Sequence, residues 1–323
     1  MGVLNYFVRR TVSVVITVIL VVALNFAIIH LAPGSPVDIM SGTLAPSPQQ
    51  VVYLEHFYGL DQPLYIQFLK YVSGLAHGNF GMSISFNQPV LTVVGAHIWA
   101  TLLLTLTAAV LAFIIGAFLG TYTAARANGR LDLVVSIVTY LFYAMPVFWL
   151  GLLLILVFSS WLNLLPTSGM TSLRESYTGF ALVLDVIHHM ILPVAALTLV
   201  QIPVYYRIAK ASMVEVLRED FVTTLTATGM RASRIMLRYA LKNAILPTVT
   251  IFGLSLGYVI TGAALVEIVF GWPGIGQLTL NAVFARDYPL LMGIYIITSI
   301  SIAVMILLTD ATYAVLDPRI RYR

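Results

Sequence analysis

The sequence predicts an all-α, polytopic membrane protein with six transmembrane helices and one long cytoplasmic loop. Three observations support this fold class. First, 60% of the 323 residues are hydrophobic and only 9% are charged, whereas soluble domains carry about 25% charged residues. Second, the apolar residues are grouped in runs of membrane-spanning length. Third, the lysines and arginines are distributed unevenly between alternate connecting segments.

Six apolar stretches are long enough to span a bilayer, which requires about 20 residues of helix. They are Thr11–Leu31, Ile98–Tyr122, Val134–Phe158, Asp185–Tyr206, Ile245–Phe270 and Pro289–Tyr313. The first follows Arg9 and Arg10, but its apolar run exceeds the length found in a signal peptide, and no small-residue cleavage site follows it. We therefore expect it to remain as the first span.

The basic residues predict that both termini lie in the cytoplasm. With that orientation, 14 of the 17 lysines and arginines fall on the inside, and the three outside are Lys70, Arg174 and Arg286. The inside set is Arg9, Arg10, Arg126, Arg130, Arg207, Lys210, Arg218, Arg231, Arg234, Arg238, Lys242, Arg319, Arg321 and Arg323. Topology thus explains the pI near 9.2, and we expect no nucleic-acid partner. The absence of cysteine excludes disulfides, thiolate metal sites and a catalytic thiol.

The outer segment, about residues 32–97, is predicted to contain short helices. Ser47 with Pro48, and Gln62 with Pro63, are typical helix starts. Apolar residues then recur at helical spacing, at Leu64, Tyr65, Phe68, Leu69, Val72 and Leu75. This pattern predicts an amphipathic helix on the outer surface, with Gln67 and Lys70 facing water. It serves either as a simple cap or as a docking surface for another protein.

The cytoplasmic loop, about residues 207–244, is too long to be a turn. Glu219 and Asp220 are suited to a helix N-terminus, Phe221–Thr228 to a short helix, and Gly229 to its left-handed cap. A second helix is predicted from about Ser233. Its basic stripe comprises Arg231, Arg234, Arg238 and Lys242, and its apolar contacts Ile235, Met236, Tyr239 and Leu241. Such a pair of helices is either a solvated hairpin or a lever that fits a groove on a cytoplasmic protein.

The segment FVTTLTATGMRASRIMLRYALKNAILP, Phe221–Pro247, resembles the cytoplasmic loop of ABC importer permeases, above all those for dipeptides and oligopeptides. The matching residues are Thr224, Ala227, Gly229, Ala240, Leu241, Asn243, Ala244 and Pro247. Two features depart from the family pattern. Thr223 and Thr226 stand where arginine is usual, and Leu225 stands where a small residue is usual.

Further segments along the whole chain resemble the same family. They are HLAPGSP (His30–Pro36), YGLDQPLYIQFLKYVSGLAHGNFGMS (Tyr58–Ser83), MPVFWLGLLL (Met145–Leu154), HMILP (His189–Pro193), EIVFGWPGIGQL (Glu267–Leu278), RDYPL (Arg286–Leu290) and DPRIRY (Asp317–Tyr322). The stretch Thr178–Pro193 is most similar to the dipeptide branch. Their number and order indicate that residues 1–323 form a single ABC importer transmembrane domain.

The resemblance implies a permease subunit of a binding-protein-dependent importer in the prokaryotic cytoplasmic (inner) membrane, which forms the pathway for di- or oligopeptides. It implies three kinds of partner: a second, homologous permease subunit, two ATP-binding subunits and an extracytoplasmic substrate-binding protein. Membrane lipid surrounds the spans. Nickel, glutathione and oligosaccharide importers share the family pattern, so the cargo stays open.

The chain is not expected to be an enzyme, because it lacks the Gly-Lys pair of a P-loop. ATP and Mg would be bound by the partner subunits, and no cofactor or metal is expected in this chain. Energy would therefore arrive through the cytoplasmic loop. The resemblance assigns the ATPase contact to Glu219, Asp220, Phe221, Thr224, Ala227 and Gly229.

Four residues are candidates for the translocation pathway: Tyr143, Met145, Pro146 and Gln201. Pro146, like Pro193 and Pro203, lies inside a predicted span and should bend it, either as a static kink or as a flexible point beside a pathway. Gln201 is a polar residue in an apolar span. An interhelical hydrogen bond is the alternative role for its side chain.

Two further patterns have competing interpretations. Gly253–Gly257 reads G-x-S-x-G, the pattern of a hydrolase nucleophile elbow. One interpretation is therefore an intramembrane hydrolase that uses Ser255 or the pair His188 and His189. The same glycines form a small-residue packing face, as do Gly116 and Gly120. Glu267 either braces the outer loop or is simply solvated.

Overall fold

The computed structural model describes residues 3–31, 49, 52, 56, 61–172, 175–257, 259 and 263–316, and these are overwhelmingly helical. Its helices are α1 (Val3–Leu31), α2 (Leu64–Ala76), α3 (Val90–Ala124), α4 (Arg130–Ala144), α5 (Val147–Trp161), α6 (Phe180–Val216), α7 (Asp220–Ala227), α8 (Ala232–Ala244), α9 (Leu246–Leu256), α10 (Ala264–Val269), α11 (Ile275–Phe284) and α12 (Tyr288–Leu316). Within this described part, Met82 and Pro89 form an isolated β-bridge. The all-α prediction is therefore confirmed.

The long helices match predicted spans. Within the described residues, α3, α6 and α12 are long and apolar enough to cross a membrane, and counting each of two bent helix pairs as one span gives five. The helix α1 covers the predicted first span. The prediction of a polytopic membrane protein is confirmed, whereas the count of six spans stays a prediction.

Two predicted spans are not single straight helices. The third is bent by 104° between α4 and α5, at Met145 and Pro146. Proline has no amide hydrogen and forces the preceding residue out of the helical region, and Met145 has an extended backbone with ψ 132°. The fifth is interrupted because α9 ends at Leu256 and α10 begins at Ala264. By contrast, Pro193 and Pro203 lie inside the continuous helix α6.

The described chain divides into two compact units, of which the larger comprises residues 100–277 and 308–313. Its main core joins α3, α6 and α10. The core residues are Ala100, Leu104, Ala108, Met190, Leu192, Val194, Ala196, Leu197, Val266, Phe270 and Trp272. Phe270 and Trp272 belong to the loop that follows α10, so this loop is part of the core.

Close packing of α3 on α6 depends on two glycines. A Cβ at Gly116 would lie 2.7 Å from Tyr205 Cβ and 2.8 Å from the Ile202 carbonyl oxygen. A Cβ at Gly120 would lie 2.6 Å from the Tyr206 carbonyl oxygen. The predicted small-residue face is thus confirmed for this pair, while the equivalent role of Gly253 and Gly257 stays a prediction.

The smaller unit contains the described residues within 1–99, 278–307 and 314–323. Phe26 of α1 packs edge-on against Phe68 of α2, with ring centroids 5.3 Å apart. The helix α2 follows Pro63 as predicted, but the side chain of Gln67 is partly buried and donates a 2.7 Å hydrogen bond to the Gln62 carbonyl. Lys70 is exposed, as predicted, whereas Gln67 is only partly exposed.

Some predictions lie outside the described residues. These are the helix start at Ser47 and Pro48, nearly all of the segment His30–Pro36, the first residues of Tyr58–Ser83 and the segment Asp317–Tyr322.

Candidate functional site

The helix α7 begins and ends as the sequence predicts. Glu219 occupies the N-cap position and Asp220 the first turn, where negative charge is favourable. At the other end, Gly229 has φ 78°. Its amide donates to the Thr226 carbonyl at 3.0 Å, and the amide of Met230 donates to the Leu225 carbonyl at 3.3 Å. This pair of bonds is a Schellman motif, which stops the helix and redirects the chain into α8.

Phe221 attaches α7 to the interior of the protein. It packs against an apolar cluster comprising Ala124, Met213, Val216, Ala240 and Ala244, from α3, α6 and α8. The other five residues of the predicted ATPase contact, Glu219, Asp220, Thr224, Ala227 and Gly229, are exposed. Phe221 is thus placed as the anchor of α7, and the other residues are left available to a partner.

The helix α8 has the two faces that the sequence predicts. Its middle, Ile235–Ala240, is π-helical. Ile235 is buried, and Met236, Tyr239 and Leu241 are half-buried. The four residues of the basic stripe, Arg231, Arg234, Arg238 and Lys242, are all exposed.

An ion pair between the buried Asp132 and the half-buried Lys210, which the sequence reasoning missed, joins α4 to α6. Lys210 Nζ contacts Asp132 Oδ1. Tyr206 donates its hydroxyl to the same oxygen at 3.3 Å and lies 2.8 Å from the Ser136 hydroxyl. The Asn128 amide donates to Asp132 Oδ2 at 3.1 Å. The only sequence signals for this pair are an acidic residue just before a span and a lysine in the basic loop.

The pathway candidates lie at two places in the larger unit. Tyr143, Met145 and Pro146 flank the bend between α4 and α5, and the side chain of Tyr143 is 58% exposed. Gln201 lies in the middle of α6 and is half-buried. Their role in translocation stays a prediction.

Glu267 is the centre of a buried brace rather than a solvated charge. Its side chain is 0% exposed. Oε1 accepts a hydrogen bond from the Thr101 hydroxyl at 2.9 Å, and Oε2 accepts from the backbone amides of Gly276 at 2.6 Å and Gln277 at 3.1 Å. Thr101 in turn accepts from the Ile275 amide at 2.7 Å. The carboxylate therefore ties α3, α10 and the start of α11 together.

The residues around Glu267 explain the sequence that follows it. Trp272 donates its indole hydrogen to the Ala100 carbonyl at 2.8 Å and is fully buried. A Cβ at Gly274 would collide with the Glu267 carboxylate, and one at Gly276 would collide with Ala264. The segment WPGIG thus needs its glycines because the backbone at Gly274 and Gly276 packs directly on the Glu267 carboxylate. Sequence reasoning identified Glu267 but missed its partner Thr101.

A second buried carboxylate, also missed, organises the smaller unit. Asp287 is 0% exposed. Its Oδ2 accepts from the Ser83 hydroxyl at 2.6 Å and the Ser85 amide at 2.9 Å, and its Oδ1 accepts from the Leu290 amide at 3.1 Å. Two sequence segments noted separately, one ending at Ser83 and one beginning at Arg286, are therefore in contact.

The candidate hydrolase residues are not arranged for catalysis. Ser255 lies inside α9 and donates its hydroxyl to the Ile251 carbonyl at 2.9 Å, whereas a hydrolase elbow needs a sharp turn after a strand. His189 is buried beside Asp185, and His188 is exposed. In the described ranges no group of three histidines or carboxylates could hold a metal ion.

Comparison with known proteins finds two family models that together cover nearly the whole chain. The model described as "Binding-protein-dependent transport system inner membrane component" matches residues 112–322. The corresponding N-terminal membrane component matches residues 3–105.

Several known proteins resemble the chain over nearly its whole length. The oligopeptide transport system permease protein AppB of Bacillus subtilis (strain 168) is 35% identical over 98% of this chain and 99% of its own. The di/tripeptide transport system permease protein DppB of Pseudomonas aeruginosa (strain UCBPP-PA14) is 36% identical over 99% of both chains. The dipeptide transport system permease protein DppB of Escherichia coli (strain K12) is likewise 36% identical over 99% of both.

Proposed function

The chain belongs to the family of binding-protein-dependent transport system inner membrane components, and we propose that it forms the pathway by which an ABC importer takes up dipeptides or short oligopeptides. The cargo is inferred from the relatives, since the names of all three describe peptide transport. Uptake of a labelled dipeptide by cells that express the full system tests this. Import of nickel, glutathione or an oligosaccharide, with no peptide uptake, would contradict it.

The proposed importer contains this chain, a second permease subunit of similar fold, two ATP-binding subunits and an extracytoplasmic substrate-binding protein. ATP and Mg are bound by the ATP-binding subunits. The present chain contributes no step of hydrolysis and instead changes its conformation when those subunits bind and hydrolyse ATP.

The observation that carries the proposal is the exposed helix α7. Phe221 anchors it to the cluster formed by α3, α6 and α8, while its acidic start and its threonine-rich surface are exposed. A short helix that is fixed at one side and open at the other can transmit a push from a bound protein. We infer that it fits a groove on an ATP-binding subunit.

Gly229 provides the test, because no heavy atom lies within 4 Å of a Cβ placed there and its φ is 78°. A substitution at this position therefore acts through backbone strain and not through a collision. Valine at positive φ costs about 1–2 kcal/mol, which depopulates the docking conformation by about five- to thirty-fold. Asparagine tolerates this region and is the matched control.

Gly229→Val is expected to lower the ATPase stimulation produced by loaded binding protein in the purified complex, whereas Gly229→Asn is expected to retain most of it. Pull-down of the ATP-binding subunits with this chain shows whether association or signalling is lost. Normal stimulation and uptake in Gly229→Val would mean that α7 is not the coupling element, whatever the cargo.

We further propose that both termini are cytoplasmic, which the 14 basic residues on the inner segments support. In sealed cells, a cysteine at Ser168 should react with an impermeant thiol reagent, and one at Ser233 should not. Both positions are exposed, so burial cannot produce the difference. A reactive cysteine at position 233 would show that the orientation is the opposite of the one proposed.

A further inference from the structure

An open apolar groove lies between the end of α3 and α8. Its volume is about 400 Å³, and it is lined by Ala117, Phe118, Thr121, Tyr122, Met236, Leu237, Leu241, Lys242 and Ile245. Two of its walls are largely uncovered, because the side chain of Phe118 is 64% exposed and that of Leu237 60% exposed. The groove thus offers apolar surface that this chain alone does not cover.

Two cations lie at this groove. Lys242 is one of its lining residues and is exposed. Arg126 lies over the ring of Tyr122, another lining residue, with the guanidinium carbon 4.3 Å from the ring centroid. An apolar groove beside two cations is complementary to a molecule with a hydrocarbon chain and an anionic headgroup.

With the orientation proposed above, the groove lies at the cytoplasmic boundary of the membrane. The predicted second span ends at Tyr122 and the predicted fifth span begins at Ile245, and both residues line it. Lysine and arginine at this depth attract anionic lipids by about 1 kcal/mol each. The groove therefore lies where acyl chains and lipid phosphates meet.

We propose that this groove binds an anionic phospholipid of the cytoplasmic leaflet, with one acyl chain against Phe118 and Leu237 and the phosphate at Lys242 and Arg126. A transmembrane helix of a partner subunit is the competing occupant. The two cations beside the apolar lining favour the lipid, because a spanning helix presents a mostly apolar surface and supplies no anionic group for Lys242 and Arg126. The inference concerns lipid binding and does not depend on the cargo.

The test uses the complete importer in phosphatidylcholine vesicles that contain a trace of photoactivatable phosphatidylglycerol. After illumination, the labelled peptides are identified by mass spectrometry. We expect labelling of α3 and α8 around the groove. Loss of one cation corresponds to about a fivefold weaker affinity, so Lys242→Gln and Arg126→Gln should each reduce labelling about fivefold. Lys242→Arg should restore it.

Arg231→Gln is the matched control, because Arg231 is an exposed arginine next to α8 that does not line the groove. Its labelling should equal that of the unmodified complex. All variants are first shown by size-exclusion chromatography to assemble, so that a fall in labelling reports binding and not misfolding.

Two outcomes would overturn the proposal. Equal labelling by photoactivatable phosphatidylcholine, insensitive to Lys242→Gln, would show that the groove does not select an anionic lipid. Absence of label in the assembled complex, together with a cross-link from Leu237→Cys to the second permease subunit, would show that a protein occupies the groove.

Discussion

The Glu267 brace and the helix α7 hold their carboxylates in opposite ways. Glu267 is fully buried and its oxygens accept three hydrogen bonds from the same chain. Glu219 and Asp220 are exposed at the start of a helix that has no side-chain cap. The comparison indicates that one carboxylate is committed to the fold, while the other two are available to a partner.

This difference should appear as a difference in what substitutions change. Removing a buried acceptor leaves its donors without partners, and each such group costs about 1–3 kcal/mol. Removing an exposed charge usually changes stability by about 0.5 kcal/mol or less. Substitutions in the brace should therefore lower the stability of the protein, and substitutions in α7 should weaken coupling to the ATP-binding subunits.

Glu267→Ala should have the largest effect on stability. It leaves the Thr101 hydroxyl and the Gly276 and Gln277 amides without their acceptor, and we expect a loss of about 3 kcal/mol or more. The thermal midpoint of the purified complex measures this loss. Glu219→Ala is the control and should leave the midpoint nearly unchanged. Equal midpoints for the two variants would remove the distinction between the two regions.

Gly276→Ala should have an intermediate effect. The new methyl group collides with Ala264 and lies 2.9 Å from Glu267 Oε2, and overpacking of this kind costs about 1–3 kcal/mol. Gly95→Ala is the matched control, because no heavy atom lies within 4 Å of a Cβ there and the residue is inside α3. That change should stabilise the helix slightly, since alanine is a better helix former. A Gly276→Ala protein as stable as the control would show that the residues around Glu267 can move to accommodate the added methyl group.

Phe221→Ala should have the smallest effect on global stability, because the side chain is only half-buried, and the clearest effect on α7 itself. Loss of the anchor should speed amide hydrogen exchange in Asp220–Ala227 several-fold, by lowering the free energy of local opening about 1 kcal/mol. Thr223→Ala, at an exposed position of the same helix, should leave that exchange unchanged. Unaltered exchange in Phe221→Ala would show that another contact holds α7 in place.

Local patterns made α7 predictable from sequence. The acidic residues at the start of the helix, the eight helical residues and the glycine after them all lie within one short segment. Because these signals are local, the helix and the positive φ of Gly229 can be predicted without knowledge of the rest of the chain. The same is true of the bend at Pro146, although its size of 104° was not predictable.

The contacts of the two buried carboxylates, Glu267 and Asp287, could not all be predicted in the same way, because each accepts a hydrogen bond from a side chain far away in the sequence. Thr101 and Glu267 are 166 residues apart, and Ser83 and Asp287 are 204 apart. A threonine or serine near an apolar run gives no sign of which carboxylate it meets. A buried charge is costly in a membrane protein, and only the structure shows which hydrogen bonds stabilise Glu267.

The helix α6 has a mechanical consequence that follows from its length. It contains 37 residues, and at about 1.5 Å per residue it is about 55 Å long. It carries Asp185, which accepts hydrogen bonds from Ser172, near one end and Lys210 and Met213 near the other. A rotation of about 5° around its midpoint would displace each end by about 2 Å in opposite directions, given that length. Because α6 is continuous through Pro193 and Pro203, a tilt of the whole helix would move its end beside α7 and its far end in opposite directions.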